Sequence, residues 1–429
     1  MLKVDWVWQD RRVRPQAFAA STEERKIVRS LDKVQLARVL LMLLLLLFLA
    51  PAFAWELAGN MAVEGRAFFQ SPLDSRQYDN DYSISLEPEF AHQWDEGRQT
   101  VVFRPFGRLD SHDDERSHWD IRELQWIYAG EGWETRLGIG KVYWGVTEAM
   151  HLVDIINQTD LVENIDGEQK LGQPMAKLSL EKDWGTLDLF LLPGFRERTF
   201  PGVEGRLRSH PRVEPDLVAY ESSAEERHVD YALRWSHYIG EWDMGVAWFK
   251  GTARDPLFRP TFTPRGELVL APYYEQIQQA SVDLQATLGE WLWKLEALYR
   301  NGQEDAFYAL TGGFEYTRVG IMETSADLGV VAELMLDERG DEASTPFNHD
   351  VFAGLRWTAN DAQSLTILAG TIVDWKNGST LLNIEASRRL GQAYLLTVQL
   401  RSWLNIDDKD LQYPFRQDDY IQLELARYF

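Results

Sequence analysis

Two stretches of the chain gather side chains able to handle charge. Residues 144–173 carry His151, Asp154, Asp160, Glu163, Asp166 and Glu168. Residues 194–227 open on Gly194-Phe195-Arg196-Glu197-Arg198 and run on through Arg206, Arg208 and Arg212. An acidic segment facing a basic one sets a transverse field, and rings of charge sort ions in a narrow passage. On solvated external loops the same residues would bind only water or lipopolysaccharide. Catalysis has less support. The eight histidines include His151 near Asp154 and His349 beside Asp350. No G-x-S-x-G elbow and no H-E-x-x-H pair accompanies them. Cysteine is absent, which excludes thiolate catalysis, thiolate metal sites and disulfides. Acidic pairs such as Asp337-Glu338, Asp341-Glu342 and Asp407-Asp408 lack calcium-loop spacing, so no cofactor is expected. The chain carries 44 Lys+Arg against 67 Asp+Glu, a formal charge of −23. That excludes a nucleic-acid partner, since phosphate binding requires a basic surface.

The segments that must position these loops alternate with a period of two. Trp55, Leu57, Gly59, Met61, Val63, Ala67 and Phe69 share one face, and Asn60, Glu64, Arg66 and Gln70 the other. Val229, Tyr231, Leu233 and Trp235 alternate with Asp230, Ala232, Arg234 and Ser236. Ala280, Val282, Leu284, Ala286 and Leu288 alternate with Gln279, Ser281, Asp283, Gln285 and Thr287. Such alternation in ten-residue segments marks the strands of a membrane barrel. No apolar stretch after Ala54 is long enough to span a bilayer as a helix. The 17 Trp and 12% aromatic content suit a protein that meets both lipid and water. The expectation is an all-β fold, a transmembrane antiparallel up-and-down β-barrel of about eighteen strands. They fall near 55–70, 82–95, 99–110, 118–129, 133–143, 174–182, 185–193, 228–239, 241–251, 274–289, 291–301, 304–318, 322–336, 348–358, 363–375, 379–390, 393–404 and 417–429.

Connection lengths point the same way. Tight turns follow the even-numbered strands, at Glu96-Gly97, Gly130-Glu131-Gly132, Asp183-Trp184, Gly240, Gly289-Glu290, Val319-Gly320, Asn360-Asp361 and Gly391-Gln392. The long connections all fall at the other end, near 71–81, 111–117, 144–173, 194–227, 252–273, 337–347 and 405–416. Short periplasmic turns and long external loops are the asymmetry of outer-membrane barrels. Within 144–173, Ala149, Leu152, Val153, Ile156 and Leu161 suit a short helix. On the polar faces of the strands lie Arg66, Arg136, Arg234, Arg356 and Arg401, together with Glu64, Glu134, Asp230, Asp283, Asp327, Glu385 and Glu424. These would face a lumen, where mutual salt bridging is the plain account of mixed signs. A net-acidic lumen would favour cations and a basic ladder anions.

The N-terminus reads as an export signal. Arg29, Lys33 and Arg38 precede an apolar run from Val39 to Ala50, and Ala52-Phe53-Ala54 follows it. A basic region, a short apolar region and an A-x-A exit place cleavage after Ala54. Residues 1–54 are therefore an extension with a cleaved signal peptide, and 55–429 the barrel. The polar stretch ahead of the signal suggests true initiation near Val28 or Leu31.

Ile421, Leu423, Leu425 and Phe429 share one face of the final segment. This resembles the C-terminal signature read by the outer-membrane barrel assembly machinery, with one departure: Arg427 stands where an aromatic or apolar residue is usual. From Trp55 to Phe429 the chain resembles the porin-type Gram-negative outer-membrane proteins of the eighteen-stranded kind. No motif singles out sugar, carboxylate or alginate-export members. The resemblance implies passive diffusion of small hydrophilic solutes through a water-filled lumen, selective or not. It implies outer-membrane lipid and lipopolysaccharide as surroundings, and a loop at 144–173 that folds inward as a constriction. The arginines 196, 198, 206 and 208 would then line the pore or contact the solute. An export or lipid-handling barrel with periplasmic partners is the alternative, and an outer-membrane hydrolase a distant third. Oligomeric state stays open.

Overall fold

The computed structural model describes residues 55–303 and 305–429. The apolar run, the cleavage after Ala54 and the extension before it lie outside the described residues. Eighteen strands form one sheet. The first seven are β1 (Glu56–Phe68), β2 (Asn80–Trp94), β3 (Gln99–Asp110), β4 (Trp119–Gly130), β5 (Trp133–Gly140), β6 (Gln173–Lys182) and β7 (Gly185–Pro193). After a two-residue strand, β8 (Ala219–Tyr220), come β9 (Val229–Ile239) and β10 (Trp242–Thr252). A hairpin, β11 (Leu257–Phe262) and β12 (Leu268–Tyr274), intervenes. The wall resumes with β13 (Gln276–Leu288), β14 (Trp291–Asn301), β15 (Phe307–Arg318), β16 (Asp327–Asp337) and β17 (His349–Thr358). It ends with β18 (Thr366–Asp374), β19 (Thr380–Leu390), β20 (Tyr394–Leu404) and β21 (Tyr420–Tyr428).

Every wall strand pairs antiparallel with the next, and β1 pairs with both β2 and β21, from Asn60↔Tyr428 to Phe68↔Tyr420. The sheet therefore closes without an edge. Closure is what hydrocarbon demands, because each unpaired backbone group there costs several kcal/mol. The outward positions carry the fat: Val63, Ile84, Leu137, Leu189, Val246, Leu334, Leu355 and Leu423 are all exposed. Exposed this way to water they would be a liability; in a bilayer they are the face that meets lipid. Aromatics gather at both strand ends. Trp94, Trp133, Trp242, Trp291 and Tyr394 ring the turn end, and Tyr82, Trp119, Tyr299 and Tyr308 the loop end. No helix among the described residues is long and apolar enough to cross a membrane.

Three local expectations change. The 252–273 connection is not featureless. It holds the β11–β12 hairpin, whose Thr263 N–H bonds the Glu267 carbonyl around Gly266, and β12 pairs in parallel with β8. The turns at Val319-Gly320 and Asn360-Asp361 are longer than expected, since β16 starts at Asp327 and β18 at Thr366. Finally, a bulge interrupts the β3–β4 ladder between Arg104 and Pro105. It shifts the alternation in β4, so the sequence neighbours Arg122 and Glu123 both turn inward: Arg122 bonds Asp160 at 2.6 Å, and Glu123 lies 3.6 Å from Arg104.

Candidate functional site

The connection from β5 to β6 does not stay outside. It runs into the bore and reaches the opposite wall. Glu148 bonds Arg356 of β17 at 2.6 Å, and β17 lies nine strands from β5 in either direction round the ring of eighteen. Wall carboxylates hold its backbone. Glu296 on β14, fully buried, accepts from the N–H groups of Val146, Thr147 and Val153 and from the Thr147 hydroxyl, at 2.6–3.1 Å. Glu333 on β16 accepts from the N–H groups of Glu148 and Ala149. The Asn157 side chain bonds the Val142 N–H and the carbonyls of Gly140 and Leu171, tying the loop's two stems together.

The expected short helix in 144–173 does not form. Many of its donors and acceptors are met by side chains of the wall and of neighbouring loops. Besides the glutamates, Arg254 donates to the Ile156 carbonyl, Arg116 to Val162, Arg122 to Lys170 and Arg196 to Gly172. Irregular backbone at membrane depth is tolerated only when it is buried in protein or lines water. The apolar residues meant for a helix face pack on the wall. Val153, Ile155 and Ile156 join Trp144, Phe190, Leu192, Phe249 and Ile277 in one buried cluster. Leu152 meets Leu298 and Phe307, while Ala149 and Met150 lie on Val331, Met335, Phe352 and Ile372.

Each acidic residue of the crossing loop has a cationic partner. Asp160 meets Arg122, and Glu163 meets Arg108 at 2.9 Å and accepts from Arg116 through its carbonyl. Asp154 meets Lys170 at 3.2 Å, Asp166 meets Arg401 at 3.4 Å, and Glu168 meets His151 at 3.2 Å. Burial pushes the Glu163 carboxyl up, but Arg108, His118, Arg116 and Arg122 outweigh it and bring it down to about 2. Burial wins at Asp154 and Asp166, whose carboxyls are raised despite Lys170 and Arg401. The hydrogen bond to Glu168 raises the His151 imidazole against its own desolvation, and the same bond lowers Glu168.

The second loop sits across the mouth on the first. Thr199 bonds Asp160, and its hydroxyl accepts from the Val162 N–H. Its arginines do not line an open gap facing an acidic strip, as expected from sequence. Arg196 pairs with Asp120 of β4, Arg198 with Asp255, Arg206 with Asp418 and Arg208 with Asp74. Arg206 and Arg208 are buried beside loops that flank β1 and β21, with Arg206 over the Phe68 ring. At Asp255, burial opposes ionisation, and Arg198 and Arg300 overcome it, holding the carboxyl below its usual range. The carboxylates of the crossing loop are balanced instead by Arg108, Arg116, Arg122 and Arg401, three of which the sequence reading did not single out.

The five strand arginines expected at the lumen lie on inward faces. Arg66 bonds Gln422, Arg136 pairs with Glu134, and Arg234 pairs with Asp283 and stacks over Trp144. Arg356 joins Glu148 and Glu315, and Arg401 joins Asp166 and Glu385. Of the C-terminal set, Leu423 and Leu425 face outward and the Phe429 N–H bonds the Gly59 carbonyl. The clamps Glu296 and Glu333 were missed. Their alternation with Leu295, Ala297, Leu334 and Ala332 was visible in the sequence, but their target was not.

The strand pairing thus defines a closed eighteen-stranded antiparallel barrel with an inward-folded loop. No protein-family model matches the chain, and no curated protein matches it in sequence. Among solved structures it is similar to variants of Rhodopseudomonas blastica porin. One is 10% identical with a TM-score of 0.44, and a triple mutant is 11% identical with a TM-score of 0.42. Both alignments cover 87% of this chain and 100% of the other. A structure described as "Asymmetric conductivity of engineered proteins" covers the same shares at 10% identity and a TM-score of 0.43.

Proposed function

We propose that the chain is a porin-like channel of a Gram-negative outer membrane, through which small hydrophilic solutes diffuse passively. One observation carries this reading. Beneath the crossing loop the inward faces stay charged and reachable by water: the side chains of Arg136, Arg104, Glu89 and Glu87 are 39%, 32%, 30% and 28% exposed. A wall greasy outside and wet inside has no use in a soluble protein and suits a water-filled conduit. The loop 144–173, with His151, Asp154, Asp160, Glu163, Asp166 and Glu168, acts as the constriction. The clamped arginines of 194–227 hold the mouth loops in place. Export by a signal peptide ending at Ala54, and recognition of Ile421, Leu423, Leu425 and Phe429 by the assembly machinery, belong to the same reading. So do contacts with lipid and lipopolysaccharide. The experiment is planar-bilayer conductance of the purified barrel, with reversal potential in a salt gradient. Stepwise, ohmic openings are expected. Recovery of folded protein from buffer without detergent would sink the proposal.

A further inference from the structure

The crossing loop has a dry side and a wet side. Toward β6–β14 it is sealed: Val153, Ile156 and Leu192 are fully buried and Phe249 nearly so. The ion pairs toward β3 and β4 are sealed as well, with the side chains of Asp160 and Arg122 at 0% and 2%. Toward β17–β20 the loop rests through Ala149 and Met150 on Phe352 and Ile372, but its His151–Glu168 edge is open. The side chain of Glu168 is 52% exposed and that of His151 32%, and across from them Glu385 is 41% and Arg356 31% exposed. The wall there is also thinned. Gly354 and Gly370 face each other on β17 and β18, and the Phe352 ring lies flat over both, where a Cβ on either would collide with it. The ring therefore lies close to the wall, with Ala149 and Met150 of the loop packed on its cluster. Asn383, Ser387 and Thr397, polar and half-buried, continue the inward face on β19 and β20.

The charges along this side do not cancel. Glu148, Asp166, Glu168, Glu315 and Glu385 stand against Arg356, Arg401, Lys294 and His151. Arg356 is shared by Glu148 and Glu315, and Arg401 by Asp166 and Glu385. Each guanidinium thus serves two carboxylates, and the surplus is negative. In a narrow, low-dielectric passage a surplus of one sign concentrates counter-ions.

We propose that solutes pass between the His151–Glu168 edge of the crossing loop and the β17–β20 wall, and that Glu148, Glu168 and Glu385 make this passage prefer cations. The inference rests on the channel reading and names its route and solute charge. Small organic or inorganic cations are the solutes it fits, and anions are disfavoured.

The test uses the full barrel in planar bilayers with a potassium chloride gradient. The unaltered channel is expected to prefer potassium over chloride by about threefold or more, as an uncompensated acidic lining does. The double variant E168Q/E385Q keeps the shapes and should bring the ratio close to one with conductance retained. Because the chain has no cysteine, single cysteines can be read separately. A cationic thiol reagent should cut the current through Glu168→Cys and Asn383→Cys channels, and leave Ile156→Cys channels unchanged. A conducting barrel whose reversal potential ignores the double substitution, or that prefers chloride, overturns this inference alone. So does block at Ile156→Cys without block at Glu168→Cys. A barrel that inserts and never conducts overturns the channel reading and this inference with it.

Discussion

The two ends of the bore are built from the same alternating strands and differ in kind. At the turn end, Arg136 and Glu134, Arg104 and Glu89 stay partly exposed and pair closely along the wall. At the loop end, Glu296, Arg122 and Asp230 are buried as deeply as in any soluble core, beneath Trp144, Val153 and Ile156. The strands supply a polar inner face at both levels. What differs is the loop laid across one of them. It brings its own apolar residues and leaves its backbone groups to be matched by wall carboxylates. A barrel of this width is wet by default, and a single inserted segment converts part of it into protein interior.

The largest test of that contrast is Glu296→Ala. It leaves the buried N–H groups of Val146, Thr147 and Val153 without their acceptor, at roughly 1–3 kcal/mol for each unsatisfied donor. The crossing loop should detach while the wall persists. Single-channel conductance should rise and become noisy, and protease added at the loop end should cut within 144–173. Quiet openings of unaltered size would show that the loop is not held there.

Next in size is a paired truncation. Ile156→Ala should lower barrel stability in detergent by about 2–5 kcal/mol, the cost of a cavity in a packed core. Thr397→Ala, half-buried on the wet wall, should stay within about 0.5 kcal/mol, as substitutions away from packed features do. Equal losses at both positions would erase the distinction between dry and wet sides.

A smaller effect is expected at Gly370→Ala. The new methyl would displace the Phe352 ring from the wall. Conductance should fall while the preference between ions holds. An unchanged current would place the route elsewhere.

The smallest effect is a pH step. The His151 imidazole is raised above its ordinary value by Glu168, and Glu168 is lowered by His151. The His151 share of the clasp is complete below pH 6.5, the ordinary histidine value, and is lost as pH rises through the raised one. The Glu168 share is complete above its ordinary value and is lost as pH falls through the lowered one. Between these limits the clasp is charged on both sides. Above the upper limit His151 turns neutral, so the passage gains net negative charge and cation preference should rise. In His151→Ala the reversal potential should lose this step.

Much of this architecture was legible in the residues. Alternation placed the eighteen wall strands within a few positions, because one face must meet lipid and the other water at every level. Where the pattern broke, the reading broke with it. The bulge at β3–β4 hid Arg122, since two successive residues facing inward defy a period of two. The β11–β12 hairpin was passed over because its alternation is short and sits inside a loop. In 144–173 the helical spacing of Leu152, Val153 and Ile156 was real, but the loop's hydrogen bonds come from strands far away in sequence. Spacing reports which side of an element is greasy. It does not report that Glu296, some 150 residues later, will hold the loop. For the same reason Arg206 and Arg208 looked available, although Asp418 and Asp74 neutralise them.

The seam where β21 meets β1 has a consequence for biogenesis. It joins Asn60 of β1 to Tyr428 of β21, so the cylinder cannot close until β21 has been made. Until then both margins of the growing sheet offer rows of unpaired backbone groups, a template for clumping with any other chain. Such distant pairing is slow to form, so those margins stay open long after the strands between them have paired.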